Sequence, residues 1–212
     1  MNELSFGSIG RAWIHLVGQT VLNGKPLNTE GLELTEVRIT FPAHHQDDEL
    51  IHNFGDAHMM AEMQKVFFAD QSNSLGHSYA KLMRGPFGKH DFQDVISLLR
   101  TERDSKRAVV TFCGEGNGKV PCINVVQFLI RGGVIRTIYF ARGQDAYRKF
   151  YADALCIAMM ARRVAEGLGL APGTVSGFIG SSHIYHKDRP AIDDFLERGS
   201  KVAVNGQLKG VC

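Results

Sequence analysis

The run VPCINVVQFLIRGGVIRTIYFARGQDAYRKFYADALCIAMMARRVAEGLG, from Val120 to Gly169, decides how the rest of the chain is read. It places a cysteine, Cys122, on the approach to an apolar strand and turns at Gly132-Gly133. A second strand returns and delivers Arg142 and Asp145 at the mouth of a long helix, with Asp153 a little further on. A thiol nucleophile, a fixed cation and two carboxylates so close together suit chemistry on a small anionic substrate.

Working outward, the residues Phe6 to Gly24 carry apolar side chains at helical spacing, with Gly24 as the stop. Gly24 to Gly31 reads as a loop, and LELTEVRITF from Leu32 alternates as a half-buried strand does. His44, His45, His52, Asp47 and Asp48 cluster between Pro42 and Asp56, but without the HExxH-type spacing that a metal site needs. A helix from about Asp56 to Phe68 follows, its Met59, Met60, Met63, Val66 and Phe67 stripe reading as core packing. Residues 76–88 read as a loop leading into a short structured piece, and Asp91 to Thr101 as a helix.

Arg107 to Phe112 is a strand, and the glycine-rich GEGNGK after it joins two strands. A dinucleotide-binding loop joins a strand to a helix, so that motif carries little weight. Beyond the central run, the helix from Asp145 to Leu168 is stopped by Gly167, Gly169 and Pro172. A third strand, TVSGFIGSSHIYHKD, precedes a short helix from Ala191 to Arg198. Strands meeting in one sheet with helices on a face give an α+β class, one domain over residues 1–212.

Composition narrows the function. A formal charge of +2 gives no electrostatic case for nucleic acid or a membrane surface. No apolar run reaches spanning length, and no basic segment followed by an apolar one opens the chain. Four cysteines without a CxxC argue against a disulfide framework or a zinc site, so a reducing cytoplasm is expected.

Three blocks then become recognisable: Pro121-Cys122 with Gln127-Phe128, Arg142 three residues before Asp145, and His183-x-Tyr185. Together they resemble the nucleophile, phosphate and sugar motifs of the thymidylate synthase family, which includes the pyrimidine nucleotide hydroxymethylases. Upstream, Ser105-Lys106-Arg107 is similar to that family's paired arginines, and LGxxY at Leu75 to Tyr79 to its tyrosine segment. The N-terminal third matches weakly, and the compact length is closer to the small archaeal-type branch.

The resemblance implies a mixed sheet with helices on one face and a sheet-mediated homodimer, in which Lys106 and Arg107 reach the partner's phosphate. It implies a Cys122 thiolate adding to C6 of a pyrimidine, aided by nearby arginines that lower the thiol pKa. Glu62 is the candidate general acid, assisted by Tyr79. Arg142 holds phosphate, His183 and Tyr185 hold the sugar, Asp145 the pterin of 5,10-methylenetetrahydrofolate, and Gln127 and Gly143 complete the substrate site. Lys25 lies where the family has a phosphate-loop arginine.

Departures from the family pattern carry the specificity. Asp153 stands where uracil-specific members have asparagine, and the cytidylate hydroxymethylases carry aspartate there. A carboxyl group can accept from the cytosine amino group and, when protonated, donate to N3. Gly143 replaces serine and Lys106 an arginine, which leaves room near the sugar for a 2′-hydroxyl. Ile123 replaces a histidine. Arg148 and Lys149 replace apolar and glycine residues of the folate pocket, and the segment that closes over folate has no clear counterpart after Asn205. The expected activity is C5 hydroxymethylation of CMP or dCMP. Three alternatives stand beside it: methylation of a uridylate, an idle nucleotide-binding homologue, or an enzyme acting on a non-nucleotide heterocycle.

Overall fold

The turn read in the central run is present in the computed structural model. Gly132 and Gly133 both take left-handed backbone, φ 61° and 79°, the two-residue turn that suits the twist of a hairpin. The structure describes residues 4–44, 47–69, 71–72, 78–84, 91–112 and 120–208; Leu75, Gly76, residues 85–88, the GEGNGK segment, Cys113 and Cys212 lie outside them.

In chain order, β1 (Leu4–Ser5) precedes helix α1 (Ile9–Asn23), then β2 (Lys25–Leu27) and β3 (Gly31–Pro42). Helices α2 (Glu49–Phe54), α3 (Ala57–Phe68), α4 (Tyr79–Arg84) and α5 (Phe92–Thr101) follow. The second half runs β4 (Val109–Thr111), β5 (Ile123–Arg131), β6 (Val134–Ala141), β7 (Gln144–Asp145), α6 (Phe150–Leu168), β8 (Ala171–Tyr185) and α7 (Arg189–Leu208).

One mixed sheet results, ordered β1-β3-β8-β6-β5-β4, with β2 on β3 and β7 on β8. The β6-to-β8 pairing is parallel, bridged by α6, while β3 lies antiparallel to β8 along most of its length. This confirms the α+β expectation. Helices α1 and α6 lie on one face, where Trp13, Phe41, Tyr139, Phe150 and Phe195 are fully buried. Burying such rings contributes roughly 2–3 kcal/mol each. Five alanines at buried positions of α6 keep its surface smooth enough to sit close against the strands.

Among the described residues the other sheet face is uncovered. On it, Ile138, Phe140 and Phe178 are 43%, 39% and 37% exposed, and the rings of Phe140 and Phe178 stack at 5.9 Å.

Several boundaries differ from the sequence reading, three of them by most. Residues 25–27 pair with β3 as a strand instead of looping free. The long helix starts at Phe150, not Asp145, because Asp145 pairs with His183 in the sheet and its carboxylate takes the amides of Tyr147 and Arg148. The last helix runs on to Leu208. Among the described residues no group could hold a metal ion, and Asp48 instead caps α2 and accepts from the Gly10 amide at 2.6 Å. No described helix is long and apolar enough to cross a membrane.

Candidate active site

The site is built at one end of the sheet by the short strand β7. Pairing of Gln144 with Ser182 and of Asp145 with His183 pins the RGQD segment beside the end of β8. The Arg142 amide donates to the Cys122 carbonyl at 2.9 Å, which ties the same segment to the start of β5. Cys122, Arg142, Gly143, Asp145, Asp153, His183 and Tyr185 thus converge from distant parts of the chain.

Cys122 is half-buried and reduced. Arg142 holds the backbone leading into it: its Nε donates to the carbonyls of Val120 and Pro121, both at 3.1 Å, and its guanidinium to Val120 again at 2.6 Å. The Tyr79 hydroxyl accepts from the Ile123 amide at 3.2 Å, and Tyr79 is itself wedged against Phe67 and Phe112.

The expected lowering of the thiol pKa is corrected. Burial pushes Cys122 up, the Asp153 carboxylate adds to that, and Arg142 and Lys149 recover only part of it. Burial is the main cause, and the second is the neighbouring carboxyl that the sequence placed on the substrate's base edge.

Asp153, in the first turn of α6, is 4% exposed. Burial raises its pKa to about 7, against the opposing pull of Lys149 and Gln144. Its Oδ2 accepts from Gln144 at 2.6 Å, while its Oδ1 has no partner among the described residues. Asp145 is half-buried and also raised by burial, and the backbone amide of Arg148 offsets part of that. Gly143 faces open space: an added Cβ would meet nothing nearer than His183 Cε1 at 4.0 Å. The His183 and Tyr185 rings meet edge to face at 5.4 Å, and burial raises the Tyr185 hydroxyl.

Other expected site residues lie elsewhere. Glu62 sits on the outer side of α3, bound to Lys65 at 2.8 Å and Gln71 at 2.6 Å, and Lys65 holds its pKa below the usual value. A general acid must keep its proton near neutrality, so the fold does not prepare Glu62 for that role. Gln127 spends its amide on the Lys106 carbonyl at 2.8 Å, tying β5 to the segment before β4. Lys106 and Arg107 are exposed, Arg107 paired with Glu102, and neither is among the charges that act most on Cys122 of the same chain. Arg148 is ion-paired with buried Asp188.

Sequence reasoning missed Gln144 and the electrostatic part of Lys149. Gln144 lies inside the RGQD block between two recognised positions, and a buried amide beside a carboxylate was the available signal.

Comparison with known proteins agrees with this geometry. The family model described as "Thymidylate synthase" matches residues 66–209, well over half of the chain. A "Putative thymidylate synthase" of Methanothermobacter marburgensis is 24% identical over 220 residues, covering 93% of this chain and 99% of that protein. One from Methanocaldococcus jannaschii is 25% identical, covering 84% and 88%. A "Thymidylate synthase" of Mycoplasma pneumoniae is 26% identical, covering 68% of this chain but 55% of its own length. The class is therefore one-carbon transfer to a pyrimidine nucleotide. The chain belongs to the thymidylate synthase family.

Proposed function

We propose that the protein hydroxymethylates C5 of a cytidine monophosphate, CMP or dCMP, with methylenetetrahydrofolate as carbon donor. The observation that carries the reading is Asp153: a buried carboxyl with a pKa raised to about 7 and one oxygen unpartnered among the described residues, close enough to Cys122 to shift its thiol. A carboxyl poised there is half protonated near neutrality. In that form it donates to cytosine N3 while accepting from the 4-amino group. Uracil offers the reverse pattern.

Neutral Asp153 also stops opposing the thiolate, so base recognition and nucleophile activation reinforce each other. The Cys122 thiolate adds to C6, and the C5–C6 electron pair moves onto C5. The hydrogen bond from Asp153 to N3 steadies the charge that builds in the ring. Arg142 holds the phosphate, with His183 and Tyr185 at the sugar. When bound, the folate supplies a carbon at the oxidation level of formaldehyde. Asp145 fits its pterin, since one carboxylate oxygen is fixed by two backbone amides and acceptor capacity remains. The C5 proton is lost to water, water supplies the hydroxyl of the new group as the carrier nitrogen leaves, and loss of the thiolate from C6 restores the ring. The space beside Gly143 and His183 favours a ribonucleotide.

The exposed apolar sheet face supports a homodimer, and Lys106 and Arg107, exposed and not among the charges that act most on the Cys122 of their own chain, suit a reach into the partner's site. Sedimentation of the pure protein tests this, with a monomer as the contrary result.

Incubation with CMP, dCMP and dUMP plus the folate, followed by mass spectrometry of the nucleotide, tests the activity. Hydroxymethylated cytidylate is expected, and turnover of dUMP alone overturns the cytosine reading. A second reading, methylation of a uridylate, is favoured by the names of the relatives. It would release dihydrofolate, seen at 340 nm, whereas hydroxymethylation leaves tetrahydrofolate.

A further inference from the structure

Gln144 and Asp153 form a buried pair, 2% and 4% exposed, joining β7 to the first turn of α6. One contact links them, from Gln144 Nε2 to Asp153 Oδ2 at 2.6 Å. The remaining oxygens, Gln144 Oε1 and Asp153 Oδ1, have no partner among the described residues. An unmet buried acceptor costs roughly 1–3 kcal/mol, so two apolar side chains of the same shape would stabilise the fold better. Stability therefore does not explain the pair.

We propose that Gln144 is a positioning residue that decides which oxygen of Asp153 carries the proton, and through it which pyrimidine the site accepts. The inference rests on the cytidylate reading above. An amide N–H already donates to Oδ2, so a proton on that oxygen would face another hydrogen. The proton of the neutral acid is driven to Oδ1, which becomes the donor to ring N3. The second lone pair of Oδ2 stays free for the 4-amino group. A 4-oxo ring meets a donor at its own N3–H and an acceptor at its own carbonyl, and is rejected at both. Without the amide, the proton can sit on either oxygen and the carboxyl can turn.

Other groups act on or are acted on by Asp153: Lys149 at the start of α6, Asp145 on β7, Cys122 before β5, Tyr79 on α4, Tyr139 on β6 and Cys156 on α6. Of these, Lys149 favours its ionised form as Gln144 does, so neither can be replaced silently.

The test is Q144M, which removes the donor at similar volume, assayed with CMP, dCMP and dUMP across pH 5.5 to about 9. Expected is a fall of about tenfold to a hundredfold in cytidylate kcat/KM, with the cytidylate-to-uridylate ratio down at least about tenfold. Loss of the N–H donor also raises the Asp153 pKa, so the alkaline limb moves to higher pH even as activity falls. A merely structural lesion lowers activity without moving that limb. Q144N, one methylene short yet polar, is expected to behave alike and guards against a folding defect in Q144M. An unchanged ratio and limb in a folded variant, with D153N altering both, overturns the inference and leaves the cytidylate reading standing. A wild-type enzyme that takes only uridylate overturns that reading, and this inference with it.

Discussion

The two ends of the sheet's cross-section break the ordinary rule of burial in opposite directions. At the head of α6 a carboxyl is buried and one of its oxygens goes unmet; on the open sheet face, phenylalanine and isoleucine side chains stand in solvent. Scattered apolar exposure needs no explanation, but a stacked Phe140–Phe178 pair next to Ile138 on a flat face is contiguous. Each violation destabilises the isolated chain, and under the proposed function each would be relieved by a bound molecule: a nucleotide at one place, a second protomer at the other. Functional positions here are the places where folding energy has been set aside.

The comparison is broken most severely by removing its chemistry. C122A is expected to lower turnover by at least about 10⁴-fold while leaving the thermal transition nearly unchanged, because the thiol is only half-buried. On the opposite face, F140D should convert a dimer to monomers in sedimentation. It should also cut activity by about a hundredfold if the partner's cations complete the phosphate site.

D153N sharpens the contrast in two ways. The cytidylate-to-uridylate preference should fall by about a hundredfold, measured as a kcat/KM ratio. Stability should also become less dependent on pH. The folded carboxyl holds its proton to about 7 against an ordinary 3.8, so in that interval the folded chain binds more protons than the unfolded one. Stability present at acid pH is therefore lost as pH rises through this window, by on the order of 4 kcal/mol for a shift of about three units. Asp145 pushes in the same direction, so the check is the difference between wild type and D153N in denaturant titrations at pH 5 and about 8.

Smaller effects follow. G143S fills the space beside His183 and should lower the ratio of CMP to dCMP turnover by about tenfold. E62Q should change kcat by less than about twofold, since its carboxylate serves only Lys65 and Gln71 on an exposed helix face.

The fold could be read from residues because its signals are local. Gly132-Gly133 dictates a turn, and Gly169, at φ 67°, ends α6 where the sequence places the stop. Most of the site was readable too, since Cys122, Arg142, Asp145, His183 and Tyr185 sit in short blocks with fixed spacing. What escaped depends on contacts between distant segments. Nothing in RGQD by itself says that Gln144 is buried against a residue one helix turn into α6. The alternation of VIRTIYFA suggests a half-buried strand, yet apolar residues fall on both of its faces. Glu62 is the converse case: it shares a helix with core methionines, yet its carboxylate pairs with Lys65 and Gln71 on the outer side.

The guanidinium of Arg142 is already spent on the two carbonyls that lead into Cys122. Any anion engaging that fork borrows from the anchor of the nucleophile's own backbone, so filling the anion seat and aligning the sulfur become one mechanical event. A lysine in its place would keep the charge but lose the planar grip, and the damage would register in the sulfur's aim as well as in affinity.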